Sequence, residues 1–264
     1  MASTLTVGDI VGIRTAAASS VALTVKSTGN TDSALVVQQT GNTDGWGLTP
    51  DNTNGNLDFV RIGGGAGTYF RLAIDGSLST PTAGTSNVRF GVNAGNSIAS
   101  GGNYNVTVGD EAGTAITTGD DNTFIGYASG DATTTSTGNT AVGRTALSTN
   151  IVGGLSTAVG AYALATQNPA TATDMYNTGM GYNAGGAVTT GLQNTLIGAL
   201  AGDALTDADN NIAIGMGALT TDTLGSTSVA IGTDALSAQN FTTATSTYNT
   251  AVGTSAGQSV TTGI

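Results

Sequence analysis

The chain has 264 residues and a formal net charge of −11; 41 residues are Gly, and none is Cys or His. Without Cys and His it has no disulfide, no thiolate or imidazole zinc site and no imidazole general base. All six basic residues lie at or before Arg144, so the acidic second half cannot neutralise phosphates. These features exclude nucleic acid and anionic membrane surfaces as partners. The composition leaves polar coil or repetitive β-structure.

The first third of the chain predicts three segments. The N-terminus MASTLTVGDIVGIR has no basic region followed by an apolar one. No apolar run reaches the ~18 residues of a spanning helix, so we predict no secretory signal and no membrane insertion. Residues 1–34 carry strand-like alternation and predict a β attachment segment. Residues 35–80 alternate β-rich pieces with Asn-Gly and Asp-Gly turns, which predicts a small β-module, and a Ser/Thr/Gly linker follows at 81–86.

From residue 87 onwards the chain is an internal repeat. Each copy opens on Asn or Ser, carries a β-branched residue at its second position and an apolar residue at its fourth, and has Gly at its fifth. Its eighth residue is Ala, once replaced by Ser129, and its ninth is Gly or Leu. The copies begin at residues 87, 105, 122, 139, 156, 177, 194, 211, 228 and 249, so their spacing is 17 residues in six of nine intervals, 18 in one and 21 in two.

This pattern predicts an all-β fold, a parallel β-solenoid of ten coils over 87–264. The five residues from Asn to Gly form a short strand, Gly allows the positive φ of a corner, and Asn hydrogen-bonds at the corner and stacks on the Asn of the next coil. Ala at the eighth position predicts a thin opposite wall. These structural roles fall to Asn122, Asn139, Asn177, Asn194, Asn211 and Asn249, and to Gly126, Gly143, Gly181, Gly198, Gly215 and Gly253.

We predict that the second and fourth side chains of each strand face the interior. So thin a core buries too little apolar surface to offset the ordering of each coil, and lateral association of identical chains supplies the rest. The opposite face of the strands would then form the contact between chains. This face carries Phe124, Ala141, Ala158, Leu196, Ala213 and Ala230.

A longer period of 72 residues lies over the coils, because residues 105–176 and 177–248 align as two blocks of four coils. Four-residue insertions recur at the same phase in both blocks, within 165–176 and 237–248, so they project on the same side of the rod. They form either a contact surface or a tolerated surface bulge. The candidate contact residues are Gln167, Asn168, Tyr176, Gln239, Asn240 and Tyr248.

The acidic and Gly-rich motifs predict no chemistry. Adjacent residues of a strand point to opposite faces, so neither Asp110-Glu111 nor Asp120-Asp121 converges by itself as a pair of glycosidase carboxylates, and we interpret them as solvated turn acids. IGGGAG at 62–67 lacks a following Lys-Ser/Thr and predicts a hairpin turn. Asp131 and Asp203 share a column without a calcium-binding pattern. We expect no enzymatic activity, no cofactor and no metal.

The repeats also resemble known fibrous proteins. NTFIGYASGD at 122–131, NTAVGRTAL at 139–147, NTLIGALAGD at 194–203 and NIAIGMGAL at 211–219 are similar to head repeats of trimeric autotransporter adhesins. They resemble still more the longer repeats of bacteriophage tail fibres, to which GWGLTPDNTNGNL at 45–57 is also similar. The resemblance implies a left-handed β-roll and a homotrimer.

The resemblance further implies a structural and adhesive role, as the shaft of a tail fibre or similar virion appendage assembled in the cytoplasm of a bacterial host. Residues 1–80 would join other virion or fibre proteins, and a distal tip would bind a host cell-surface receptor. The alternative is the head of a bacterial cell-surface trimeric adhesin; such a protein needs an export signal and a membrane anchor, and their absence favours the phage fibre. Thr at the second position leaves an ice-binding solenoid as a minor alternative.

Overall fold

A computed structural model describes residues 35–38, 45–50, 57–62, 67–72, 78–79 and 83–264. These residues form strands, turns and bends, and there is no helix among them. The chain divides into two compact units, 1–75 and 76–264. The predicted attachment segment, 1–34, lies outside the described residues.

Five strands lie upstream of the repeat, and the four that belong to the first unit form a sheet in the order β1-β2-β3-β4. Neighbours from β1 to β4 pair antiparallel, as hairpins require, although the predicted turn residues Asn54-Gly55 and 63–66 lie outside the described residues. That these strands form an independent module stays a prediction. The strands are β1 (Leu35–Gln38), β2 (Gly45–Pro50), β3 (Leu57–Ile62), β4 (Gly67–Leu72) and β5 (Leu78–Ser79).

The repeat forms a ten-stranded parallel sheet in which successive coils contribute neighbouring strands. This confirms the predicted parallel β-solenoid of about ten turns. The strands are β6 (Val88–Phe90), β7 (Val106–Val108), β8 (Thr123–Ile125), β9 (Thr140–Val142), β11 (Thr157–Val159), β13 (Thr178–Met180), β14 (Thr195–Ile197), β15 (Ile212–Ile214), β17 (Val229–Ile231) and β19 (Thr250–Val252). Two small parallel pairs join β10 (Gly153–Gly154) to β12 (Thr173–Asp174), and β16 (Gly225–Ser226) to β18 (Thr245–Ser246).

Each position of the repeat stacks on the same position of the next coil. Thr140 pairs with Thr157, and Thr157 pairs with Thr178 even though a 21-residue coil separates them. The insertions are therefore absorbed outside the long sheet, and the register of the strands is unchanged.

From β7 onwards, the third position of each repeat, which is the middle residue of its three-residue strand, faces the interior of its own chain, so the predicted orientation of the strand faces is wrong. Phe124, Ala141, Ala158, Leu196, Ala213 and Ala230 are fully buried in the single-chain core. The second and fourth residues flank them on the outside, as in β9, β11 and β17. The physical reason is the polarity of the second position, because a Thr there would bring its hydroxyl into an apolar interior. Ala at the third position, in contrast, is small enough for a thin core.

The narrow interior of each coil is filled by one of two combinations of residues. Where the ninth residue is Leu, as in Leu147 or Leu219, the third is Ala and the twelfth is a buried polar residue. Where the ninth is Gly, the third can be large: a Cβ on Gly130 would lie 2.6 Å from the ring of Phe124. The third, ninth and twelfth residues therefore vary together, because they share one fixed volume.

The fifth-position Gly lies at the corner after each strand. Gly143 has a φ of 134° and Gly215 a φ of 130°, a region that L residues rarely adopt. The coils also approach closely at this point. A Cβ on Gly143 would lie 2.6 Å from the carbonyl carbon of Gly160, and one on Gly215 would lie 2.5 Å from that of Gly232. Both backbone conformation and space therefore require Gly.

The opening Asn acts as a buried clasp within its coil and a link to the next. The Nδ2 of Asn122 donates to the carbonyl of Ser136 in its own coil at 2.9 Å, and its Oδ1 accepts from the backbone N–H of Asn139 at 3.0 Å. Asn194 repeats both bonds, with Ala208 at 2.7 Å and Asn211 at 3.0 Å. The side chain thus completes hydrogen bonds of two coils at once.

Candidate functional site

Two outer surfaces of the rod are candidates for function: the outward strand face and the insertions. On the strand face the fourth-position residues form a continuous apolar ladder. Several are substantially exposed in the single chain, with Phe90 at 46%, Met180 at 44% and Val252 at 67%. No charged residue occurs in the second or fourth column, so nothing polar beyond Thr interrupts this surface.

The first insertion is built around a buried Gln. Its coil opens on Ser156 instead of Asn, and Gln167 occupies the vacant space: its Oε1 accepts from Asn177 Nδ2 at 3.0 Å and from Ser156 Oγ at 3.2 Å. Asn177 also donates to Gly191 O at 2.7 Å. The Nε2 of Gln167 is buried and has no hydrogen-bond partner among the described residues.

The second insertion has the same plan with a complete set of bonds. Gln239 Oε1 accepts from Asn249 Nδ2 at 2.8 Å, and its Nε2 donates to Ser228 Oγ at 2.9 Å and to Asp222 Oδ2 at 2.6 Å. The other oxygen of Asp222 accepts from the backbone N–H of Gly225 at 3.1 Å and of Phe241 at 2.9 Å. Three donors therefore surround a carboxylate that is fully buried.

The six candidate contact residues separate into two groups. Gln167 and Gln239 are buried, so the structure removes them from any contact surface and gives them a structural role. The other four are exposed: Asn168, Tyr176, Asn240 and Tyr248. The sequence carried a sign of this division, since Ser opens only the two coils that contain an insertion.

A groove beside the first insertion was not predicted. It has a volume of about 230 Å³, and Thr135, Thr137, Thr173 and Asp174 lie along it. Its walls come from three successive coils. Sequence reasoning misses it because each of these residues is ordinary for a turn, and only the stacking of the coils brings them together.

The acidic residues do not assemble into a metal site in the described part of the chain: no group of three or more carboxylates is close enough to hold an ion. Asp110 and Asp121 are exposed. Asp131 differs, because its Oδ1 is buried without a partner among the described residues. Burial raises the pKa of Asp131, and the charge of Glu111 raises it further, against backbone hydrogen bonds that lower it.

Two tyrosines lie beside Arg144, the last basic residue of the chain. The guanidinium carbon of Arg144 lies 5.4 Å from the ring centroid of Tyr162. Tyr162 in turn packs edge-on against Tyr182, with centroids 5.9 Å apart. The three residues belong to successive coils, so a cation–π contact and an aromatic pair reinforce the outer wall.

Comparisons of the chain with protein-family models, with curated proteins and with solved structures gave no match. Among the described residues, no helix has the length and apolar character to cross a membrane.

Proposed function

We propose that residues 87–264 are the shaft of a homotrimeric fibre that supports attachment to a host cell surface. The observation that carries this proposal is the outward apolar ladder. It contributes one residue per coil over nine steps of ~4.8 Å, about 43 Å in all. Its members are Phe90, Val108, Ile125, Val142, Val159, Met180, Ile197, Ile214, Ile231 and Val252.

A single chain leaves this ladder facing water, which soluble monomers rarely do over so long a contiguous patch. Identical chains placed side by side cover it, because each presents the same residues at the same height. A closed cyclic arrangement covers all copies equally. The number three, the left-handed winding and the joining of residues 1–80 to other virion or fibre proteins come from the resemblance to tail fibres.

The corrected orientation of the strands sharpens this proposal. Ala141, Ala158 and Ala213, first assigned to the contact between chains, are too small to bury much apolar area there. Val, Ile and Met side chains of the outward ladder present more apolar area there. Burying such a side chain completely from water is worth roughly 1.5–3 kcal/mol, and the half-buried members have already gained part of this in the single chain. The lateral contact therefore belongs to the second and fourth positions.

The test is the mass and shape of the purified chain. We expect sedimentation equilibrium to give three chains per particle and electron microscopy to show needles. Ile214→Glu places a charge at the middle of the covered ladder and should abolish the three-chain mass. Thr118→Glu adds the same charge at an exposed turn and should leave that mass unchanged. A wild-type chain that sediments as a monomer would overturn the proposal.

The second candidate, an ice-binding solenoid, is supported by the Thr residues of the same face. Thr140, Thr157, Thr178 and Thr195 stack in register on successive strands. An ice surface and a lateral contact exclude each other, because both need this face. Thermal hysteresis from a monomeric chain would favour ice binding, whereas a trimer without hysteresis favours the fibre.

A further inference from the structure

One cluster on the outer wall of the rod joins a cation to two aromatic rings. The guanidinium carbon of Arg144 lies 5.4 Å from the ring centroid of Tyr162, and that centroid lies 5.9 Å from the ring centroid of Tyr182. The three residues stand at the sixth or seventh position of successive coils, just after the corner Gly. They therefore lie beyond the strands that carry the outward ladder, and the lateral contact proposed above does not require them.

The positive charge of Arg144 is not neutralised by a neighbouring side chain. Arg144 is exposed, and among the described residues it makes no salt bridge and no side-chain hydrogen bond. The sixth and seventh positions carry no acidic residue in the six coils that open from 122 to 211. The donors of the guanidinium are therefore free for an anion, although the whole chain has a net charge of −11.

The aromatic rings order this charge and leave apolar surface beside it. A guanidinium over a ring is attracted by the negative face of the ring, and Tyr182 supports Tyr162 by packing edge-on against it. Tyr182 is 57% exposed, and Tyr127, at the sixth position one coil before Arg144, is 49% exposed. Exposed rings therefore stand on both sides of an ordered cation.

The fold does not require these side chains. The second block forms the same strands with Met216 in place of Arg144 and Asp234 in place of Tyr162. A thioether and a carboxylate are thus compatible with these two positions of the coil. The cation and the rings of the first block are therefore available for a contact outside the chain.

We propose that this cluster binds an acidic oligosaccharide, an inference that rests on and deepens the adhesive role proposed above. The carboxylate of one sugar unit accepts two hydrogen bonds from Arg144, whose planar guanidinium matches it. The apolar face of the next unit packs on the exposed ring of Tyr182. An acidic peptide is disfavoured, because its flexible backbone loses more conformational entropy on an open surface than rigid sugar rings do.

Saturation-transfer NMR on the full chain tests this inference with matched probes. Sialyllactose is compared with lactose, and a hyaluronan tetrasaccharide with the neutral tetramer of N-acetylglucosamine. We expect transfer to at least one acidic probe and roughly tenfold weaker binding of its neutral counterpart, because the charged contact is lost. The peptide acetyl-Glu-Gly-Glu-amide carries carboxylates without sugar rings and should not bind.

Substitutions copied from the second block remove the cluster with residues that its positions already accept. Arg144→Met should weaken binding of the acidic probe roughly tenfold, because the charged donors are lost. Tyr182→Thr copies Thr254 and should weaken it roughly fivefold, because a ring face is lost. Met216→Ala, at the position of Arg144 in the second block, is the control and should leave binding unchanged.

The reciprocal change transfers the cluster to the second block. Met216→Arg, Asp234→Tyr and Thr254→Tyr together rebuild it on the coils that open at 211, 228 and 249. Introduced into the Arg144→Met chain, they should restore binding of the acidic probe. A variant that is folded by circular dichroism and does not regain binding would overturn the assignment.

Three further results would overturn the inference: no transfer to either acidic probe, equal binding of the acidic and neutral probes, or unchanged binding in Arg144→Met. Sedimentation of the same samples separates these failures from failure of the fibre proposal. A three-chain particle that binds no acidic probe overturns the saccharide site alone, and a monomeric wild-type chain overturns the fibre. If Arg144→Met changes the particle mass, the cluster is a contact between chains and the site assignment is wrong.

Discussion

The two 72-residue blocks, 105–176 and 177–248, share one backbone plan and fill it with different side chains. Phe124 and Thr133 of the first block stand where the second has Leu196 and Leu205, and all four are buried. A large and a small residue have been exchanged for two of intermediate size. The comparison shows that a group of touching residues varies as a unit while the repeat columns stay constant.

The buried polar residues beneath the insertions also vary as a unit between the two blocks. Asp222 in the second block accepts from the N–H of Phe241. In the first block Phe241 is replaced by Pro169, which has no N–H to donate, and Asp222 is replaced by the neutral Asn150. One donor and one charge have been lost together, so the first block avoids a buried carboxylate with too few donors.

The largest loss of stability should come from substitutions at the corner glycines, which are the same in both blocks. Gly143→Val and Gly215→Val each force a side chain into a positive-φ corner and against the next coil. We expect each to cost about 3 kcal/mol or more, measured as thermal unfolding by circular dichroism. Thr233→Val, one position after a corner Gly, is the control and should unfold as the wild type does. A Gly variant that melts unchanged would contradict the corner assignment.

The second-largest loss of stability should come from replacing the buried carboxylate of Asp222. Asp222→Asn turns an amide toward Gln239 Nε2, and the loss of this charged acceptor should cost about 2 kcal/mol in urea unfolding. The reciprocal change tests the comparison directly. Asn150→Asp alone gives Gln167 Nε2 an acceptor but lacks the N–H that Pro169 cannot supply.

Adding Pro169→Phe and Met175→Thr to Asn150→Asp rebuilds the second block's set, because Thr247 stands where the first block has Met175. We expect the free energy of unfolding of the triple variant to be about 1 kcal/mol higher than the value obtained by adding the effects of the three single substitutions. Simple additivity would show that the two polar groups are independent of their neighbours.

The apolar exchange should have a smaller effect. Phe124→Leu leaves a void beside Gly130 and should cost about 1.5 kcal/mol. Thr133→Leu in the same chain refills that volume, as Leu205 does in the second block, so the double variant should recover part of the loss. Stability that falls further in the double variant would contradict the shared-volume account.

The smallest effect concerns Asp131 and its counterpart Asp203. Asp203 accepts from Thr220 Oγ1 at 2.7 Å and from Asn183 Nδ2 at 3.5 Å, whereas Glu111 stands in the first block at the position of Asn183. The pKa of Asp131 is raised in the folded chain. Folded stability therefore falls as pH rises from the ordinary carboxyl pKa, ~3.9, through the raised pKa of Asp131.

Glu111→Gln removes one cause of that raised pKa. After allowance for solvent screening, the variant should be about 0.5 kcal/mol more stable than the wild type at neutral pH. The difference should vanish at about pH 3, where carboxyl groups are protonated. Thermal unfolding at both pH values measures this, and Asp110→Asn, which removes an exposed neighbouring charge, should show no such gain. A gain that persists at low pH would contradict the electrostatic explanation.

The coil period and the corner Gly could be predicted because they are invariant columns with one physical cause each. The orientation of the strands could not, because a strand of three residues with Thr, Ala and Val offers two plausible faces. The better indicator was the coupling of Leu at the ninth position with Ala at the third, which only residues in one interior require. The burial of Gln167 and Gln239 could not be predicted from residue type, because a polar residue in an insertion is ordinarily solvated; the only indication in the sequence is the space left where Ser156 and Ser228 replace the opening Asn.

The Asn clasp has a consequence for how the chain folds. Its bonds join residues about 14 to 17 apart, and no later coil needs a partner from a distant part of the sequence. Contact order is therefore low for a parallel sheet, and the entropy of loop closure is nearly the same for every winding, because it changes only slowly between 17 and 21 residues. We expect folding to proceed as a zipper from any formed winding, at a rate that further 72-residue duplications would leave nearly unchanged.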